Sequence, residues 1–125
     1  MPFERIHGYM LSQPGAVEER PFTPEVLVYK VGGKMFALAN PSNVPPNITI
    51  KLDPLMGQML RATYKAVQAG YHMNKEHWNT IALDESIPED ELLSWIDESY
   101  TLVHASLTKK AKQHLQTLSK ATDAQ

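Results

Sequence analysis

Residues 72–86 read HMNKEHWNTIALDES, and the first eight hold two histidines, two asparagines, a lysine and a tryptophan. Histidine exchanges its proton near neutral pH and is a common metal ligand. Here His72 and His77 stand five apart, off the three- or four-residue step that sets two ligands on one helical face. No carboxylate falls in register with them. No serine or cysteine elbow precedes them to act as a nucleophile. The segment therefore points to neither a metal centre nor a catalytic one, and the chain reads as a non-enzyme without cofactor. The same groups suit a nucleic-acid surface. Lys75 would neutralise a phosphate, Asn74 would reach a base edge or a phosphate, and Trp78 or His72 would stack on a base. The competing reading is a polar turn, with Trp78 packed in the core and Asn74 and Asn79 bonded to turn backbone.

Other cations extend that surface. Lys30 and Lys34 bracket Val31-Gly32-Gly33, so a hairpin there would carry two cations near its tip. Arg61 and Lys65 are four apart, a spacing that shares one helical face. Each of these has an ordinary alternative as a solvated surface charge. Charge is segregated along the chain. Residues 1–75 hold eight Lys/Arg against five Asp/Glu (+3), residues 76–108 hold eight acids and no Lys/Arg (−8), and residues 109–125 hold four lysines against one acid (+3). Simple electrostatic binders of nucleic acid are basic overall, whereas this chain carries a net −2. Its cations must gather on one face, because carboxylates within a Debye length of about 8 Å would repel phosphate.

The elements that would position these groups are legible in part. Phe3, Ile6 and Met10 share a face, which predicts a helix over residues 3–11 ending at Pro14-Gly15. AVEERPF predicts a strand. VLVYKV, Gly32-Gly33 and KMFALA predict a hairpin, because two glycines accept the positive φ of a tight primed turn. With a two-residue loop Val31 pairs Lys34, Tyr29 pairs Phe36 and Leu27 pairs Leu38, placing the last four side chains on the core face. ITIKL alternates as a strand after the proline-broken NPSNVPPN loop. Asp53 can cap the next helix with Pro54 in its first turn, and Leu55, Met59 and Ala62 or Ala66 mark its inner side. HWNTIAL predicts a strand with Trp78, Thr80 and Ala82 on one face. The last helix has Ser86 as cap, Pro88 in its first turn, three acids at its start and a Leu92, Ile96, Tyr100, Val103, Leu107 stripe. Lys109, Lys110 and Lys112 follow, and Leu115 and Leu118 would prolong it. The order α-β-β-β-β-α-β-α makes a two-layer α+β domain with a mostly antiparallel sheet.

At 125 residues, one domain is expected, over 1–119, with 120–125 a frayed tail. The chain has no cysteine, which excludes disulfides and thiolate chemistry. Neither a signal peptide nor an apolar run of about 20 residues is present, so a cytoplasmic protein without a membrane span is expected.

The runs PGAVEE, VYKVGGKMFAL, ITIKLDP, HMNKEHWNTIALDESIP and IDESYTLV, spread over residues 9–107, resemble the MmcQ/YjbR family of small bacterial proteins. The resemblance implies a YjbR-like double-wing fold, in which β-hairpins project toward nucleic acid, and a DNA-binding role. On that basis Lys30, Lys34, Arg61, Lys65 and Lys75 are expected to meet phosphates. His72, Asn74 and Trp78 are expected as base or stacking contacts. The two-layer fold is also similar to that of secretion chaperones, which implies the alternative of a protein-interaction module, as monomer or homodimer. Asp97 and Ser99 in DESY are read as a buried structural pair for the HWN segment rather than as chemistry.

Overall fold

The computed structural model describes residues 3–70, 74 and 76–115. In chain order these form α1 (Phe3–Leu11), β1 (Val17–Glu19), β2 (Leu27–Val31), β3 (Lys34–Asn40), β4 (Asn47–Lys51), α2 (Pro54–Thr63), β5 (Val67–Ala69), β6 (Trp78–Ala82) and α3 (Glu89–Ala105). A further helical segment covers 109–115, separated from α3 by a turn at Ser106. The six strands form one antiparallel sheet ordered β1-β2-β3-β4-β6-β5. The α+β, two-layer expectation holds. The strand β5 is new: the helix ends at Thr63, near the weakening expected at Tyr64, and residues 67–69 pair with β6.

One face of the sheet carries the core. Cross-strand registers align Leu27, Ala39, Ile48, Ile81 and Val67 in one row, and Tyr29, Ala37, Ile50 and Asn79 in the next. Ile6 and Met10 of α1 and Leu92, Trp95, Ile96 and Val103 of α3 pack on those rows. Burying side chains of that size contributes roughly 1.5–3 kcal/mol each before entropy is charged against it.

The hairpin turns as expected, with Gly32 at φ +58 and Gly33 at φ +83 and Val31 opposite Lys34. Beyond the turn the expected register fails. A bulge between Tyr29 and Lys30 leaves Phe36 as an extra residue, so Tyr29 faces Ala37, Val28 faces Leu38 and Leu27 faces Ala39. Leu38 consequently lies on the opposite face from the core. The bulge has a partner on α3. The Lys51 N–H and the Phe36 C=O, which would close the next rung of the β3–β4 ladder, bond instead to the fully buried Ser99 hydroxyl, at 2.8 and 2.6 Å. Ser99 is thus a buried structural group, although it serves β3 and β4 rather than the HWN segment. Asp97 is exposed and accepts hydrogen bonds from Tyr9 (2.7 Å) and Gln13 (2.9 Å), tying α1 to α3.

Two helix expectations need correction. Leu55 and Met59 do not line the inner side of α2, for they are 67% and 64% exposed. The inner side carries Met56, Gly57 and Leu60, one position further round, because Gly57 lets the helix backbone approach Asn79 closely. Asp53 does cap α2, accepting from Leu55 N–H at 3.2 Å. Ser86 does not cap α3. It bonds to Asp84, and Pro88 holds the N-cap position without a side-chain bond.

Tyr29 makes the core pH-sensitive. Its buried hydroxyl lies 2.7 Å from His7 Nδ1, and burial, with Glu18 adding to it, pushes the phenol well above its ordinary value of 10.0. The folded chain therefore keeps this proton where the unfolded chain loses it. Its stabilisation is complete below about pH 10 and declines as pH rises beyond. Urea unfolding between pH 9 and 11 should show falling stability, and Tyr29→Phe should make that fall shallower.

Candidate binding surface on the open face of the sheet

The residues expected to meet nucleic acid do not gather at the hairpin tip. Lys34 folds back, with Nζ 3.1 Å from the Ser106 carbonyl at the C-terminal end of α3, where carbonyls lack helical partners and the dipole is negative. A Cβ on Gly32 would lie 2.7 Å from Leu107 Cδ1, so the tip is seated on the chain just beyond α3. The hairpin is packed rather than projecting as a wing. Arg61 is also engaged, donating from its guanidinium to Oδ1 of the fully buried Asn79 on the core side of β6. It does not share a helical face with Lys65, because α2 ends at Thr63.

Asn74 is a turn residue. Its side chain accepts from Glu76 N–H (3.0 Å), and its carbonyl accepts from the N–H groups of His77 and Trp78. His72 and Lys75 lie outside the described residues.

The remaining expected residues share a surface on the side of the sheet away from the helices. Register places Lys30 beside Met35 and Lys51 beside Trp78, all facing away from the core rows. The next row is Val28, Leu38, Thr49, Thr80 and Gln68, with the Thr49 and Thr80 hydroxyls 2.9 Å apart. Asn40, Asn47 and Ala82 follow. None of these side chains belongs to the buried core cluster, though Val28 and Thr49 are buried, Ala82 borders the cluster and the rest, Gln68 apart, are partly buried. Glu19 of β1 also faces this side and pairs with Lys30 at 2.7 Å.

The carboxylates of α3 stand in the other layer, where Glu89 pairs with Arg5, Glu91 accepts from Tyr64 and Asp97 from Tyr9. The sheet thus separates the acid-rich helix from Lys30, Lys51 and Lys65.

Lys65 belongs to this face through a cleft at its far end. About 400 Å³ in volume, the cleft is lined by side chains that include Asn43, Asn47, Lys65, Gln68, Thr80 and Asp84, with Pro45, Ala66 and Ala82 as its apolar parts. The loop wall is shaped by the cis Val44–Pro45 bond and by Asn43 Nδ2 donating to the Pro45 carbonyl at 3.0 Å. Bonds from Ser86, side chain first and then backbone, hold the Asp84 carboxyl below its usual range, so it is charged at neutral pH. Among the described residues, no group of three or more His, Cys, Asp or Glu side chains could hold a metal ion. No helix among them is long and apolar enough to cross a membrane.

Sequence reasoning missed this cleft. Its residues run from 43 to 84, and only the β4-β6-β5 order, with its unforeseen last strand, brings them together. The available signal was the alternation of ITIK and WNTIA, which sets Thr49 and Thr80 on one side and isoleucines on the other.

A single helix layer on one face of a six-stranded antiparallel sheet, with a mixed polar and apolar, partly buried face on the other side, defines a small α+β protein. The chain belongs to the YjbR family, whose model matches residues 11–102. It is 37% identical over 95 residues to the uncharacterized protein YbdF of Escherichia coli O157:H7, covering 76% of this chain and 78% of that one. It is 28% identical over 100 residues to the uncharacterized protein YjbR of Escherichia coli K12, covering 80% and 85%. The crystal structure of Deinococcus radiodurans protein DR2400 matches with a TM-score of 0.85 at 32% identity, covering 91% of this chain and 87% of that one.

Proposed function

We propose that this protein binds single-stranded nucleic acid across the open face of its sheet, and not through the hairpin tip. The observation that carries the reading is the charge separation. Lys30, Lys51 and Lys65 share this side with Trp78, against the two carboxylates Glu19 and Asp84, while the acids of α3 occupy the helix side. A sheet face carrying cations, hydroxyls and one aromatic is chemically a stacking and phosphate surface, suited to unpaired bases more than to a duplex groove. Lys30 is partly neutralised by Glu19, so two to three phosphates would be contacted.

On single strands that predicts log K falling with log salt at a slope of about −2. Lys51→Glu should weaken binding to a labelled oligonucleotide by about tenfold or more and cut the slope by about one. Lys34→Glu should leave both unchanged, because that lysine serves Ser106. Equal losses from Lys34→Glu and Lys51→Glu, or no binding at low salt, would remove the reading.

A second reading is favoured by one observation. Leu55 and Met59, four apart on the outward side of α2, form an exposed apolar pair that suits a protein partner. Leu55→Gln with Met59→Gln would abolish such an association and leave oligonucleotide binding intact.

A further inference from the structure

We propose that the cleft between the 43–47 loop and the β5–β6 edge is a nucleotide site that takes one nucleobase and its adjacent phosphate. The inference deepens the reading of the open face, since it names the part of that surface able to tell one base from another. Size is the first argument. About 400 Å³ lies within the range of small-molecule sites, roughly 300–1,000 Å³, and accommodates a single base with its sugar.

The lining is the second. A side-chain amide presents a donor and an acceptor side by side, matching the paired donor–acceptor edge of a base. Three amides converge here, and among the described residues Asn47 and Gln68 have no side-chain hydrogen-bond partner; Asn43 uses only its Nδ2, on Pro45. Pro45, Ala66 and Ala82 give apolar contact for a ring. Lys65, exposed and likewise unpartnered among the described residues, stands among the lining residues as the cation for a phosphate.

A third observation bears on which base. Asp84 supplies a charged acceptor, lying among the lining residues with Lys65. A carboxylate acceptor favours bases with an exocyclic amino group, so adenine, cytosine and guanine are expected before uracil. Other ligand classes fit less well. One carboxylate is too few for a cation site, no aromatic ring lines the cleft to stack a sugar, and the polar lining discourages an apolar guest.

The test is an NMR titration of the isotopically labelled full chain with adenosine, cytidine and uridine 5′-monophosphates, and separately with a short oligonucleotide. The expected result is a change of the Asn47 and Gln68 side-chain amide signals by the adenosine and cytidine nucleotides at several-fold lower concentration than by the uridine one. Gln68→Ala should weaken that binding about tenfold, and Lys65→Gln, an exposed change, should weaken monophosphates while sparing the free nucleosides.

Binding of monophosphates but not of oligonucleotide would leave the cleft as a free-nucleotide site and overturn the open-face reading instead. Oligonucleotide binding that depends on Lys51 but leaves the cleft signals unmoved would overturn this inference alone. A dispersed, folded spectrum unperturbed by millimolar nucleotide would also overturn it.

Discussion

Replacing Ser99 with alanine is expected to lower the stability of the fold by about 2–4 kcal/mol without moving any surface group. The hydroxyl bonds two backbone groups at once, donating to the Phe36 carbonyl and accepting from the Lys51 N–H, in a fully buried position. Alanine removes both bonds and returns neither backbone group to water. Each buried, unpaired group costs about 1–3 kcal/mol, more than the net worth of an ordinary hydrogen bond. In a domain of this size the melting temperature should fall by roughly 4 °C for each kcal/mol. Thermal and urea unfolding would measure it, with an unchanged urea slope showing that the native state stays compact. A loss below about 0.5 kcal/mol would mean that β3 and β4 re-pair without Ser99, and the account of the bulge given above would fail.

The second large effect concerns Arg61. Its guanidinium reaches the buried Asn79 amide, whose own Nδ2 donates to the His77 carbonyl at 3.3 Å, and Gly57 of α2 packs against the same pair. A hydrogen bond involving a charged group is worth about 1.5–3 kcal/mol. Arg61→Met should cost that much, as should Asn79→Leu, and the double variant should cost clearly less than the two together, since each single change strands the other partner. Oligonucleotide affinity, measured where all variants are folded, should not change its salt slope. A slope reduced by about one in Arg61→Met would return this arginine to the binding surface.

These two cases mark where sequence reading reached its limit. The Gly32-Gly33 turn and the Asp53-Pro54 helix start were legible because their physics is local, set by φ and by a cap two residues away. The register beyond Tyr29 was not, because it answers to the Ser99 hydroxyl, 63 positions beyond Phe36. The inner side of α2 was misread because it is defined by an absent side chain at Gly57, and hydrophobic periodicity is blind to absence. The cations were visible as residues, but not as partners. Lys34 meets Ser106 across 72 positions, and Arg61 meets a core asparagine that spacing could not reveal. What did carry through was alternation. Trp78 and Thr80 were placed on one side of their strand by period two alone, and that side is the open face.

The two outermost strands have a further consequence. β1 and β5 are each three residues long, and β1 reads Val-Glu-Glu with all three residues exposed. Short edge strands, one of them carrying two glutamates, are poor templates for pairing with another chain. The molecule can therefore present a wide β surface to a ligand without polymerising sideways, and high concentrations should leave it free of fibrils.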